Sequence, residues 1–391
     1  MHDATLTKPS GAPQVERHQP FEQIALLLQG GGALGSYQGG VYQGLAEAGL
    51  HPDWIAGISI GAINSAIIAG NPPERRVERL RQFWETVTKS PIGIPYFRAV
   101  DIPDDTVRRY VNQARAMSAA LFGAPHFFTP RCTPTAFLGP AEPGTVSVYD
   151  TSPLRETLEQ LVDFERINAR LMRFSVGAVN VRTGNFAYFD TETHRIKPEH
   201  IIASGSLPPS FPATEIDGEF YWDGGLVSNT PLEWVLDGRP RRDTIAFQVD
   251  LWSARGDLPI NLAEAEVRHK EIVYSSRTRY VTDQYKYAQK LRVAMSNLLK
   301  KLPDEFKNDE DVNILAQESD EKVCNIVHLI YRARNYEGMS KDFEFSRRTM
   351  EEHWAAGYDH AVRTLNHPEV MHLPDRLEGV RTFDVCREDR E

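Results

Sequence analysis

Residues 24–35 read IALLLQGGGALG and residues 54–70 read WIAGISIGAINSAIIAG, and these two stretches decide the fold. Each begins with a short, continuous apolar run, passes through small residues, and continues with apolar side chains at helical spacing. Each therefore predicts a buried strand, a tight turn and a helix. Two such units in tandem predict a parallel sheet whose crossover helices are right-handed.

The sequence further along the chain predicts more strands and helices around the same sheet. A helix is expected over residues 152–162, because Ser152-Pro153 is typical of a helix start. Turn residues separate two apolar runs within residues 174–190 and predict a hairpin there. The other expected elements are a second hairpin turn at Asp217-Gly218, strands over 244–251 and 325–331, a long helix over 262–302 with a break near Ser275, and a last helix over 345–365.

Residues 91–153 differ from the rest of the chain, because proline recurs there and aromatic residues are interleaved with it. Apolar residues from Val107 to Leu121 keep helical spacing and predict one helix inside this insert. A long insert in a compact domain is either a surface excursion that packs on its own aromatic residues or a lid-like cover over a site. The sequence leaves both interpretations open.

The chain has 391 residues and an ordinary globular composition, with 41% hydrophobic and 25% charged residues. Its net charge of −10 argues against nucleic acid as a partner, because phosphate binding needs a concentrated positive surface. The first residues lack the apolar core of a signal peptide, and no apolar run is long enough to span a membrane. Three widely spaced Cys residues without paired ligands predict reduced thiols, no metal site and a cytoplasmic protein.

Residues 57–61, Gly-Ile-Ser-Ile-Gly, form a G-x-S-x-G motif between a predicted strand and a predicted helix. A nucleophilic serine occupies this junction when a sharp turn aims its Oγ out of the sheet. Small residues at Gly57 and Gly61 suit such a turn, because it brings backbone segments close together. The positive end of the following helix also favours negative charge that develops at Ser59. The alternative is that Ser59 only caps that helix.

Residues 30–33, Gly-Gly-Gly-Ala, lie at the neighbouring strand–helix junction. Consecutive glycines let backbone N–H groups converge on one point, so beside a nucleophilic serine they predict an oxyanion hole. The same segment, as Gly30-x-Gly32-x-x-Gly35, also matches the fingerprint of dinucleotide-binding proteins. That fingerprint requires an acidic residue at the end of the second strand, where this chain has Ser59. The oxyanion hole is therefore favoured, with dinucleotide binding as the alternative.

Asp223 follows a predicted hairpin strand and precedes two small residues, Gly224 and Gly225. A carboxylate at such a tight turn serves as a general base when it lies close to a serine hydroxyl. The plainer interpretation is an ordinary turn aspartate. A Ser-His-Asp triad is also open, because His269 and His328 follow in the chain order of that arrangement.

Together these motifs resemble the patatin-like phospholipase family, of a bacterial type that carries a C-terminal extension. The resemblance covers residues 22–252 and includes residues 203–212 and 229–231 on either side of the aspartate. It implies a three-layer α/β fold with a mostly parallel central sheet, helices on both faces and a mainly helical extension. It also implies hydrolysis of lipid acyl esters, as in a phospholipase A, without a cofactor. The implied site consists of the nucleophile Ser59, the general base Asp223, an oxyanion hole at Gly30, Gly31, Gly32 and Ala33, the elbow glycines Gly57 and Gly61, and the aspartate loop Gly224 and Gly225.

The expected division is a flexible tail over residues 1–20, a catalytic domain over 21–252 and an extension over 253–391. Within the extension, residues 268–301 carry nine Lys or Arg against two acids, and residues 304–322 carry eight acids against two Lys. A basic helix paired with its acidic neighbour is one interpretation, and peripheral contact with an anionic lipid surface is the other. A catalytically inactive lipid-binding protein on the same fold is the alternative to the enzyme. The sequence carries no signal for an oligomeric state.

Overall fold

The strands of this chain are seen in a computed structural model, which describes residues 20–89, 104–131, 139–140, 142–275, 278–306, 309–334 and 336–385. Residues 1–19 of the predicted tail and residues 91–103, 132–138 and 141 of the insert lie outside the described residues. The described strands are β1 (Gln23–Leu28), β2 (Trp54–Gly57), β3 (Thr129–Pro130), β4 (Tyr149–Asp150), β5 (Arg173–Asn180), β6 (Phe186–Asp190), β7 (Thr214–Ile216), β8 (Glu219–Asp223), β9 (Thr244–Asp250), β10 (Cys324–Ile330) and β11 (Val380–Phe383).

Nine of these strands form the central sheet, in the order β11-β10-β9-β1-β2-β5-β8-β7, with β6 also paired to β5. The pairs from β11 to β5 are parallel, and the pairs that involve β6, β7 and β8 are antiparallel. In the register of β1, Leu28 lies opposite both Gly57 of β2 and Val249 of β9. The segments that follow these three strands therefore leave the sheet at the same edge.

Helices cover both faces of the sheet. On one face, Leu26 and Leu28 of β1 join a core that contains Val41 and Ile63. The alternate residues Ala25 and Leu27 join a second core with Leu232 and Tyr285 on the other face. The predicted three-layer, mostly parallel α/β fold is confirmed. The described helices are α1 (Ser36–Glu47), α2 (Ile60–Ala69), α3 (Pro73–Val87), α4 (Asp105–Phe122), α5 (Ser152–Leu161), α6 (Phe164–Asn168), α7 (Pro198–Ser204), α8 (Leu232–Leu236), α9 (Leu262–Tyr274), α10 (Thr278–Leu299), α11 (Glu310–Glu318) and α12 (Arg347–Leu365).

The C-terminal part of the chain contributes to the same sheet and core as the N-terminal part. Strand β10 pairs with β9 along its whole length, and β11 extends the sheet by one more strand. Helix α12 packs closely on α1, because a Cβ on Gly40 would lie 1.9 Å from the Trp354 carbonyl oxygen and one on Gly357 would lie 2.0 Å from the Tyr37 carbonyl oxygen. Residues beyond 252 therefore help to build the body of the fold, in addition to supplying helices.

Several elements were not predicted from the sequence. Helix α3 and strand β11 have no counterpart among the expected elements, and α11 lies in the acidic segment 304–322, which was not assigned a structure. The long helix expected over 262–302 is described as two helices, α9 and α10, on either side of residues 276–277. Helix α5 begins at Ser152 as predicted, but its N-cap is Thr151, so Pro153 is the second residue of the helix and not the first.

Candidate active site

Ser59 lies in the turn between β2 and α2, and its backbone is held in the left-handed region with φ 55° and ψ −124°. Such a strained backbone persists only where its surroundings enforce it. Here two glycines allow the close approach: a Cβ on Gly57 would lie 2.3 Å from the Gly61 carbonyl oxygen, and one on Gly61 would lie 2.1 Å from the Leu28 carbonyl oxygen. The G-x-S-x-G motif thus forms a sharp strand–helix turn with no room for side chains at either glycine.

A second serine, Ser204 at the end of α7, fixes the backbone of this turn. The Ser59 N–H donates to Ser204 Oγ at 3.0 Å, and Ser204 Oγ donates in turn to the Gly177 carbonyl oxygen on β5 at 2.7 Å. Ser204 is fully buried, so both bonds are shielded from water. Ser204 belongs to residues 203–212, which resemble the family, but nothing in the sequence predicts this role for its hydroxyl.

Asp223 lies at the end of β8, and its side chain is only 3% exposed. Its carboxylate accepts a hydrogen bond from the Gly225 N–H at 2.7 Å. Burial raises the pKa of Asp223 from 3.8 to about 7, although the neighbouring Ser59 side chain and the Gly225 N–H favour the charged form and oppose this rise. Gly224 packs against β5, where a Cβ would lie 2.6 Å from the Gly177 carbonyl oxygen. A buried carboxylate therefore lies beside Ser59, and both residues line the same cavity.

The glycine-rich segment lies beside these two residues, between β1 and a short 3-10 helix (Gly32–Gly35). The Gly30 N–H donates to the Asn229 carbonyl oxygen at 3.4 Å, so this amide already has an acceptor. The Gly30 carbonyl oxygen accepts bonds from Asn229 Nδ2 and Trp252 Nε1 at 3.1 and 3.0 Å. Gly31, Gly32 and Ala33 begin the helical turn, where N–H groups have no partner within the helix.

An apolar cavity of about 80 Å³ borders Ser59, Asp223 and the glycine-rich segment and is partly open to solvent. Phe127 and Phe128 of the insert line it and pack against Phe211 and Phe345, with ring centroids 5.3 to 6.2 Å apart. The described part of the insert therefore packs on aromatic residues from outside the insert and forms a wall of the cavity.

Histidine does not contribute to the described lining of this cavity. His269 is exposed on α9, and His328 lies on β10, where burial lowers its pKa to about 4. Neither residue is among those that line the cavity with Ser59 and Asp223. The dinucleotide alternative is also disfavoured, because the space at Gly32 is filled by the carbonyl oxygen of Asp342, 2.3 Å from an ideal Cβ. The geometry therefore favours a serine–aspartate pair.

The basic segment 268–301 is partly paired within the molecule. Four of its cations form ion pairs with acids elsewhere in the described chain or on the same helix: Arg268 with Glu271, Lys270 with Asp342, Arg292 with Asp237, and Lys300 with Glu321. Only the last of these acids belongs to the segment 304–322. The acids that form ion pairs with residues 268–301 thus lie in several parts of the fold.

Two other sequence-based expectations concern metals and membranes. In the described ranges, no group of three or more His, Cys, Asp and Glu side chains is arranged to hold a metal ion. Among the described helices, none is both long enough and apolar enough to cross a membrane.

A family model described as patatin-like phospholipase matches residues 26–236, which is more than half of the chain, and one described as patatin phospholipase matches residues 272–377. Patatin-like phospholipase domain-containing protein 7 of Rattus norvegicus is 37% identical over 83 residues, which cover 19% of this chain and 6% of that protein. The crystal structure of VipD from Legionella pneumophila aligns over 97% of this chain and 75% of that chain, with 15% identity and a TM-score of 0.40.

The first family match begins within β1 and ends at the last residue of α8, so it includes the elbow at Ser59, the glycine-rich segment and Asp223. The second match includes α10, α11, α12 and β10. Both parts of the chain are thus matched by models of the same kind, and their order agrees with the resemblance of the motifs. The chain belongs to the patatin-like phospholipase family.

Proposed function

We propose that this protein is a serine hydrolase that cleaves acyl esters of lipids through a dyad of Ser59 and Asp223. The observation that carries the proposal is that a serine with a strained backbone and a buried carboxylate line the same apolar cavity. A base with a pKa of about 7 is well matched to proton transfer near neutral pH. The apolar walls suit an acyl chain, and membership of the family supports lipid esters as the substrate class.

In the proposed first step, the Asp223 carboxylate takes the hydroxyl proton of Ser59 while Oγ adds to the ester carbonyl carbon. The electron pair of the C=O bond moves to oxygen, and the N–H groups of Gly31, Gly32 and Ala33 donate to this oxyanion. The Gly30 N–H is already engaged with Asn229, so we assign the donor role to the three residues after it.

When the carbonyl re-forms, the ester C–O bond breaks and Asp223 gives its proton to the leaving alcohol. A water molecule then adds to the acyl carbon of the acyl-serine while Asp223 takes one of its protons. Collapse of this second tetrahedral species releases the carboxylic acid and returns the proton to Ser59 Oγ. One carboxylate is sufficient because it alternates between base and acid.

Ser59→Ala and Asp223→Asn test the proposal, with hydrolysis of a p-nitrophenyl ester as the assay. Each should lower kcat/KM at least about 1,000-fold, because the nucleophile and its base act as a unit. Ser152→Ala and Asp217→Asn are matched controls at exposed positions and should retain full activity. A fluorophosphonate probe should label the wild-type protein and Asp217→Asn, but not Ser59→Ala.

The same experiments separate the alternatives. A wild-type protein that the probe does not label would point to an inactive lipid-binding protein. A loss of activity in His269→Ala or His328→Ala as large as that in Ser59→Ala would contradict the dyad. Peripheral contact with a lipid surface through residues 268–301 is the alternative to ion pairing within the fold, and vesicle flotation separates the two.

A further inference from the structure

The loop of residues 339–345 comes from the C-terminal part of the chain and forms one wall of the cavity beside Ser59. A Cβ on Gly32 would lie 2.3 Å from the Asp342 carbonyl oxygen, so the loop touches the glycine-rich segment directly. Phe343 and Phe345 of the same loop line the cavity. A part of the chain without any catalytic motif therefore shapes the space next to the nucleophile.

Two ion pairs tie this loop to α9. Lys270 Nζ lies 3.1 Å from the Asp342 carboxylate and also donates to the Met339 carbonyl oxygen at 3.1 Å. Lys341 Nζ lies 2.8 Å from Glu271 Oε1, and the Lys341 side chain is only 4% exposed. Separating such a buried pair leaves an uncompensated charge, which is strongly unfavourable. The ion pairs therefore hold the loop as a fixed wall.

A second cavity of about 470 Å³ lies on the other side of this loop and is partly open to solvent. Asp342 and Phe345 line the first cavity, whereas Lys341 and Glu344 line the second. Phe343 lines both cavities, and its side chain is partly buried. Phe343 is thus the residue that the described linings of the two cavities share.

The second cavity offers an apolar path along α4. Ala116, Met117 and Ala120 of that helix line it, close to the insert residue Tyr149. Tyr149 stacks on Phe128 of the first cavity, with ring centroids 4.8 Å apart, so the two cavities are also neighbours on this side. The methylene groups of a long acyl chain would find apolar contacts there if the two cavities were joined at Phe343.

We propose that Phe343 determines the acyl-chain length that the site accepts, by closing the first cavity off from the second. This inference rests on the proposed hydrolysis of acyl esters. An acyl chain that ends before Phe343 is accommodated in the first cavity, and a longer chain meets the ring. Removing the ring joins the cavities and lets a long chain continue along α4.

Phe343→Ala tests this inference with p-nitrophenyl butyrate, octanoate, laurate and palmitate. The ratio of kcat/KM for palmitate to that for butyrate should rise at least tenfold, because two additional buried methylene groups already account for about tenfold. Phe306→Ala is the matched control, since it removes a phenylalanine from a surface turn that lines neither cavity. It should leave the ratio unchanged.

Ala120→Trp in the Phe343→Ala background tests whether the second cavity is needed, because the indole would occupy space in that cavity. The palmitate-to-butyrate ratio should then return to within about twofold of the wild-type value. An unchanged ratio in Phe343→Ala overturns the inference, and so does a gain that persists in the double variant.

Binding to the inactive Ser59→Ala protein separates this inference from the proposed function. Palmitate and octanoate compete there with a fluorescent fatty acid, with and without Phe343→Ala. We expect palmitate to bind at least tenfold more tightly when the ring is removed, while octanoate affinity stays the same. If palmitate affinity rises but the wild-type protein hydrolyses no ester, the proposed function fails and the chain-length role of Phe343 stands. If esters are hydrolysed and palmitate affinity does not change, the role of Phe343 is refuted.

Discussion

The pKa of Asp223 leads to a linked prediction for activity and stability. The folded chain holds this carboxyl at a pKa of about 7, against an ordinary value of 3.8, because the group is buried. The unfolded chain releases the proton near the ordinary value, so folding disfavours the ionised form by about 4 kcal/mol. The raised pKa means that this cost is absent well below pH 4, grows as pH rises, and is fully developed above pH 7.

Asp223→Asn removes the titration while it keeps a side chain of nearly the same shape. The variant should therefore become more stable relative to the wild type as pH rises, by about 3 kcal/mol between pH 5 and pH 8. Urea unfolding followed by tryptophan fluorescence at these two pH values measures the difference. Asp217→Asn, in an exposed turn, should show no such trend.

The activity of the wild-type protein provides the second readout. Because the base must be ionised, kcat/KM should rise with pH and reach half of its maximum near pH 7. A midpoint below pH 5, together with a stability difference that is the same at pH 5 and pH 8, would refute the reasoning from burial.

Other perturbations probe the supports of the site and its surface. Ser204→Ala removes the hydroxyl that accepts a hydrogen bond from the Ser59 amide, so it should lower kcat about tenfold with little change in KM. Steady-state kinetics on a short ester measures both constants, and a change in KM alone would contradict this role. Gly61→Ala should lower the free energy of unfolding in urea by at least about 2 kcal/mol, because its Cβ would lie 2.1 Å from the Leu28 carbonyl oxygen. The fraction of protein that floats with vesicles should be the same with and without anionic lipid, because four cations of residues 268–301 are already paired. A clear increase of this fraction with anionic lipid would favour binding of the segment to the lipid surface.

Prediction from the sequence worked best where the signal is local. The apolar run of β1, the small residues after it and the helical spacing that follows all lie within a few turns of the chain, and the same holds for β2 and α2. The parallel order of these strands then follows from their connection. The turn at Ser59 could be predicted for the same reason, because its two glycines are part of the motif.

The contacts that depend on distant parts of the chain could not be predicted in this way. Ser59 and Asp223 were brought together only by the resemblance to a family. The hydroxyl of Ser204 looks like that of any other serine in the sequence, and its role depends on where α7 packs. The loop of residues 339–345 has no motif, and its position follows from the packing of α12 on α1. Helix α11 was missed because its acidic, largely exposed residues do not show a clear apolar face.

The wall that Phe343 and Asp342 provide has a consequence for a chain that is cut. Cleavage ahead of residue 339 would leave Ser59, Asp223 and the glycine-rich segment on one fragment and this wall on the other. The enclosure of the serine–aspartate pair therefore depends on a segment more than one hundred residues further along the chain.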